Sequence, residues 1–176
     1  MMKFRNLIYT AVFAALCCVA TLCIAIPLPY GYINAGDILV LLSGLCLGPV
    51  AGGIAAGLGA ALADIFLGFA VYAPATAVIK FAVACLAALM LRMSRRLCHQ
   101  KFLRLMLCGL GCLICEAVMV LGYFLYETLL YGVAGAAASI LGNTLQGLTC
   151  AVGGLLLIVA VRAVPPLARL FPALKE

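Results

Sequence analysis

The sequence predicts an all-α integral membrane protein: one domain over residues 1–176, a bundle of six membrane-crossing helices with both termini in the cytoplasm. Three observations carry this. Hydrophobic residues make up 68% of the chain, with a mean hydropathy of +1.31. Charged residues make up 9%, against about 25% in a soluble domain, so too little polar sequence exists to cover a soluble core. Finally, the apolar stretches are separated alternately by Pro/Gly-rich and by basic segments. Of the 11 lysines and arginines, all but Lys80 fall at the N-terminus, in residues 92–104 or towards the C-terminus. With six crossings these regions share a side, and the positive-inside rule makes it the cytoplasmic one.

The first span covers residues 7–26, after a short basic cap with Lys3 and Arg5. Its apolar run exceeds the roughly 7–15 residues of a signal-peptide core, and further spans follow, so it is expected to be retained. Ala11 and Ala15 share a face, with Ala14 beside them. Small residues let helices approach closely, which serves either packing within the chain or docking of a partner protein.

Pro27 and Pro29 end this span, and residues 27–36 form a first outer loop with Tyr30, Tyr32 and Asn34. Tyrosines favour the headgroup region, so a belt role competes with solute contact. The second span, residues 37–47, is short for a crossing of about 20 residues. Asp37 at its start suits either helix capping or a ligand. Gly48 and Pro49 turn the chain into a third span, residues 49–69. Its many glycines and alanines predict a crowded central helix, and Asp64 lies about one turn from its outer end.

After a second outer turn at residues 68–74, containing Tyr72, the fourth span runs over residues 74–90. Lys80 lies two turns inside it, at a depth similar to Asp64. An Asp64–Lys80 pair would lower the cost of both charges, and a polar pocket would use them equally well. The basic segment 91–104 follows from topology and requires no nucleic acid. The fifth span, residues 103–126, carries Glu116 near its middle and shares a face with Tyr123 and Glu127. An acid at that depth is a functional candidate, with a bond to a neighbouring helix as the structural alternative. Residues 127–138 form a third outer loop or a broken helix start, before a sixth span at 139–162. There Asn143 and Gln146, three apart, face one way. Their amides serve a heterocycle or join helices.

The charge count and the polar positions agree on an outward-side pocket. Its candidate contacts are Tyr32, Asn34, Asp64, Tyr72, Lys80, Glu116, Tyr123, Glu127, Asn143 and Gln146. Catalysis has little support: the one histidine, His99, sits in the basic segment, and no nucleophile–base pair is evident. The ten cysteines lie mostly within apolar spans and read as small hydrophobes. Cys108, Cys112 and Cys115 stack at one-turn spacing, which helix packing explains without a metal. No cofactor is expected. The chain lacks the Gly-x-x-x-x-Gly-Lys-Ser/Thr phosphate loop, so ATP-driven work must come from partners. No inverted repeat is visible to favour a gradient-driven secondary transporter, the main rival.

Through GYINAGD, LGP, ALAD, YAPAT and IK, the stretch from Tyr32 to Lys80 resembles the substrate-binding S components of energy-coupling factor (ECF) vitamin transporters. The resemblance is to the riboflavin-type or the hydroxymethylpyrimidine and pyridoxine-type group. It implies a prokaryotic plasma-membrane protein of six helices with an outward pocket for a water-soluble vitamin or precursor. It also implies a transmembrane coupling protein and two cytoplasmic ATPases as partners, and toppling of the loaded subunit in the bilayer. Ala11, Ala14 and Ala15 match the small-residue face by which such subunits meet the coupling protein. Flavin recognition favours aromatic stacking, for which Tyr30, Tyr32, Tyr72, Tyr123 and Tyr126 are present but no tryptophan is. The polar set fits a smaller aminated or hydroxylated ring better, so pyridoxine or a thiamine pyrimidine precursor is expected ahead of riboflavin. A modified-nucleobase precursor stays open.

Overall fold

The computed structural model describes residues 4–27 and 31–171. Six helices and one small hairpin follow in the order α1 (Phe4–Cys23), β1 (Ala25–Pro27), β2 (Tyr32–Asn34), α2 (Gly36–Leu47), α3 (Pro49–Phe66), α4 (Ala73–Leu97), α5 (Lys101–Ala163) and α6 (Pro165–Leu170). By length and composition α1, α3, α4 and α5 are apolar enough to cross a membrane. Their outer faces are apolar, with Leu58, Phe66, Val78, Leu121 and Leu148 exposed, while Asp37, Asp64, Lys80, Glu116 and Glu127 are buried. Hydrocarbon outside and charge inside is the pattern that a bilayer solvent selects.

The crowded central helix is α3, packed on α1, α2 and α4. Its glycines are there for close approach. A Cβ at Gly59 would overlap the Ala14 carbonyl of α1, and one at Gly52 would stand 2.5 Å from the Ser43 carbonyl oxygen of α2. Pro49 opens α3 because its missing N–H is one a helix start leaves unused anyway.

The boundaries differ from the sequence expectation in several places. The first helix starts earlier and stops at Cys23, because residues 25–27 and 32–34 form two short strands. They pair as an antiparallel hairpin with Ala25 opposite Asn34 and Pro27 opposite Tyr32. Pro27 is tolerated at the edge of so small a sheet, and Gly31 takes φ +83° beside the turn. Tyr30 and Pro29 lie outside the described residues. The α4 helix runs on to Leu97, since its basic last turn suits the negative end of the helix dipole.

Of the two readings of residues 127–138, an outer loop or a broken helix start, the second holds: the segment is helical apart from Gly132, whose φ of 74° and ψ of 170° break α5. At 63 residues a straight α5 would extend about 95 Å, three times the hydrocarbon thickness. It folds back instead. Ser139 bonds Glu127, a Cβ at Gly147 would lie 2.9 Å from Glu116 Cβ, and one at Gly109 would lie 3.2 Å from Leu155. These contacts close on Gly132 from both sides, so residues 101–131 and 133–163 are antiparallel arms. Six separate spans were expected; the two last ones are the arms of one broken helix, and α2, at 12 residues, extends only about 18 Å.

The second arm seats Ile38 and Leu41 of α2 on Gly153 and Gly154, and the first arm seats Ile79 and Met90 of α4 on Gly122 and Gly111. The order α2, α3, α4, first arm, second arm therefore closes into a ring that is pinched where α2 also packs directly on α4 at Gly44 and Ala84, with α1 against α2 and α3. At one end of the ring stand the β1–β2 hairpin, the α3–α4 turn and the Gly132 break; Tyr126 bonds the Val71 carbonyl there at 2.5 Å. At the opposite end lie the α2–α3 and α4–α5 turns. Phe171 packs there on Tyr9 and Phe13 with ring centroids 5.8 Å apart, which brings both ends of the described chain together.

Candidate functional site

Below the hairpin lies a buried ion pair. Lys80 Nζ of α4 stands 2.6 Å from Asp37 Oδ1 and donates to Oδ2 at 2.8 Å. Gln146 Nε2 of the second arm donates to the same Oδ2 at 2.6 Å, and Gln146 Oε1 accepts the Asn34 backbone N–H at 2.7 Å. The ammonium also sits 5.1 Å from the centre of the Tyr123 ring, within cation–π reach. Two sequence expectations are corrected here. Lys80 pairs with Asp37 and not with Asp64, because α2 presents Asp37 to α4 directly inside the ring. Asp37 does not cap α2: Ala35 holds the cap position without a side-chain bond, and the carboxylate points inward to the cation.

A second layer sits nearer the hairpin. The Tyr32 hydroxyl donates to Asp64 Oδ1. Asp64 Oδ2 is buried with no hydrogen-bond partner among the described residues. The Thr76 hydroxyl is close enough to act on Asp64, but its bond is to the Tyr123 hydroxyl at 3.0 Å. Glu127 accepts from Tyr72 at 3.3 Å and from Ser139. Burial, then the Asp64 carboxylate, pushes the Tyr32 phenol well above its ordinary range, so it remains a donor. Phe69 lies between Tyr32 and Tyr72, with ring centroids 5.1 and 6.3 Å away.

These groups enclose a cavity of about 30 Å³. Eight of the ten nominated contacts line it: Tyr32, Asn34, Asp64, Tyr72, Tyr123, Glu127, Asn143 and Gln146. Lys80 lies beneath, spent on Asp37 and Tyr123. Glu116 is elsewhere. It shares the face of Tyr123 but lies seven residues, roughly 10 Å, deeper. Its two buried oxygens have no partner among the described residues, and it lines an apolar groove of about 490 Å³ between the arms of α5, with Leu113, Phe124 and Ile140. That groove is wider but nearly devoid of polar groups. The small cavity is the candidate site because the polar groups converge there.

Sequence reasoning missed Thr76 and Ser139 as members of this network and left Asp37 between a helix cap and a ligand contact. Thr76 stands one helical turn from Lys80, a spacing that would have flagged it; Asp37 was obscured by its capping position. On α1, Ala11 and Ala15 are exposed while Ala14 is half-buried against Gly59, so the three alanines do not form one outward face. Cys108, Cys112 and Cys115 are buried on the first arm. No group of three or more His, Cys, Asp or Glu able to hold a metal occurs among the described residues.

Residues 1–163 match the family model described as "ECF-type riboflavin transporter, S component". A Pyrococcus woesei protein, described as an uncharacterized protein in gap 3'region, is 34% identical over 151 residues, 84% of this chain and 96% of that one. Among solved structures, the S component of a bacterial ECF transporter superposes with a TM-score of 0.66 at 20% identity, covering 92% of this chain and 98% of the other. The S component for biotin from an ECF-type ABC transporter gives 0.55 at 18% identity, covering 89% and 94%. At these identities the likeness is one of fold.

Proposed function

The chain belongs to the ECF-type riboflavin transporter S component family, and from that premise we propose that it captures a small aminated or hydroxylated heterocycle in the cavity under the β1–β2 hairpin. It is a membrane-embedded transport subunit and not an enzyme. The observation that carries the substrate class is Asp64 Oδ2, a buried acceptor left open in a cavity shared with Asn143 and the rings of Tyr32, Tyr72 and Tyr123. An unfilled buried acceptor asks for a donor, such as an exocyclic amine, a ring N–H or a hydroxyl. Pyridoxine and the thiamine pyrimidine carry such donors on a ring small enough to be reached from all sides of this ring of helices. A modified-nucleobase precursor offers the same chemistry.

Riboflavin is the second reading. The family description favours it, and so does the run of stacked rings Tyr32, Phe69, Tyr72 and Tyr126. Either ligand needs far more than 30 Å³, since small-molecule sites are on the order of 300 Å³ or more. Binding therefore requires the hairpin and the outer helix ends to part.

The rest of the cycle follows the family premise. α1, α3, α4 and the two arms of α5 each cross the membrane, and the short α2, entered through the β1–β2 hairpin, completes the sixth passage. The end carrying Arg92, Arg95, Arg96 and both ends of the described chain faces the cytoplasm of a prokaryotic plasma membrane, and the cavity faces out. A coupling protein meets α1 at Ala11 and Ala15, and two ATPases drive toppling of the loaded subunit. Thermal-shift and native mass-spectrometric titration of the purified chain against pyridoxine, hydroxymethylpyrimidine and riboflavin tests the reading. Saturable binding of one of them, weakened by Asp64→Asn, supports it; no binding, or binding indifferent to Asp64→Asn, overturns it.

A further inference from the structure

Three arginines gather at the end of the bundle where both ends of the described chain lie. Arg95 comes from the last turn of α4, Arg104 from the start of the first arm of α5 and Arg162 from the close of the second. The pairings Met90 with Gly111 and Gly109 with Leu155 set these three helix segments side by side. The arginines then lie within about one turn of a common depth. All three are half-buried. The charges of Arg104 and Arg162 act on Arg95, and those of Arg95 and Arg162 act on Cys108.

Cations gathered this way repel one another, and no described carboxylate relieves them. Asp37 is held by Lys80 and Gln146, Asp64 by Tyr32, and Glu127 by Tyr72 and Ser139. Glu116 lies eight residues further into the bundle than Cys108. Meanwhile Arg95 Nε and Nη2 and Arg162 Nε are shut from solvent and make no hydrogen bond to a described residue. Guanidinium donors buried without an acceptor mark a place where an anion is missing. Arg95 also lines a cleft of about 330 Å³ with Arg92, against a wall made of Leu45, Ala88 and Leu91. Cationic groups at the end of an apolar cleft match a phosphate carried on a hydrocarbon tail.

We propose that Arg95, Arg104 and Arg162 form a phosphate-binding site that holds the headgroup of an anionic membrane lipid. Its phosphate accepts from the open guanidinium N–H groups, and its chains lie along the Leu91 side of the cleft. The site is remote from the vitamin cavity and independent of its occupant.

The test is native mass spectrometry of the full chain released from nanodiscs of equimolar phosphatidylglycerol and phosphatidylcholine. The expected result is preferential retention of phosphatidylglycerol, reduced at least about tenfold in an Arg95→Gln/Arg162→Gln double variant and unchanged in Arg96→Gln. The single Arg95→Lys variant, which keeps the charge, should retain part of the preference and guards against misfolding of the double variant. In phosphatidylcholine-only discs, thermal protection of the wild type by inorganic phosphate over chloride, lost in the double variant, would assign the same site to soluble phosphate. Equal retention of both lipids without any phosphate effect overturns the proposal. So does lipid preference that survives the double substitution, or loss of nothing but coupling-protein capture, which would make the natural occupant a carboxylate of that partner.

Discussion

Gln146 Nε2 donates to Asp37 Oδ2 across 2.6 Å, joining the second arm of α5 to the start of α2. Through its other amide atom Gln146 also takes the Asn34 N–H at 2.7 Å. One side chain thus ties the hairpin over the cavity to the ion pair beneath it.

Gln146→Leu removes both bonds at similar volume. The Asn34 N–H loses its acceptor, at a cost of about 1–3 kcal/mol. The expected outcome is faster amide exchange across residues 32–37 and roughly tenfold weaker vitamin binding, read by hydrogen exchange and titration.

Breaking the Lys80–Asp37 pair from one side leaves an uncompensated charge. Lys80→Met or Asp37→Asn alone should lower stability by about 3–5 kcal/mol. The double variant should recover much of that loss, because no lone charge remains. Unfolding midpoints of the three variants in nanodiscs check this.

Tyr32→Phe takes the phenol's hydrogen bond from the Asp64 carboxylate, so binding should weaken by about tenfold at neutral pH. The two proteins should also differ in alkali. The Tyr32 phenol is raised above its ordinary value of 10.0 by burial and by Asp64. Its protonated form is thus favoured in the folded state, and that contribution is intact below pH 10 and lost as pH rises beyond it. Unfolding midpoints from pH 9 to pH 11 should fall more steeply in the wild type than in Tyr32→Phe.

Ala11 and Ala15 are exposed on α1, whereas Ala14 packs against Gly59. Ala11→Trp/Ala15→Trp should abolish co-purification with the coupling protein and leave vitamin affinity unchanged. Ala14→Trp should instead lower the melting temperature, since the new ring must displace α3. A pull-down paired with a thermal melt separates the two outcomes.

Gly132 holds φ +74° between the two arms. Gly132→Ala must place a Cβ at positive φ with ψ near 180°, a region essentially only glycine occupies, at about 1–3 kcal/mol. A modest fall in stability with unchanged binding is expected from melting and titration of that variant.

Much of this was present in the sequence. The scarcity of charge determined membrane residence. The glycines and alanines of residues 51–63 determined the central helix. The spacing of Asn143 and Gln146, and of Tyr123 and Glu127, determined which faces turn inward. Helical periodicity and hydropathy are local properties of a chain, so a single sequence displays them directly.

What the sequence left open was decided between elements. Lys80 took Asp37 because α2 packs directly on α4 and brings Asp37 to its level, while Asp64 of α3 stands nearer the hairpin, bonded to Tyr32. Glu116 fell below the cavity because depth along the first arm is set by where Gly132 folds the chain back. The hairpin over the site formed from residues with no strong strand signal, held by Gln146, which lies more than a hundred positions further along the chain. Periodicity assigns a side chain its face, but a buried charge is stabilised by whichever group the neighbouring element brings within 3 Å, and only the packed structure fixes that neighbour.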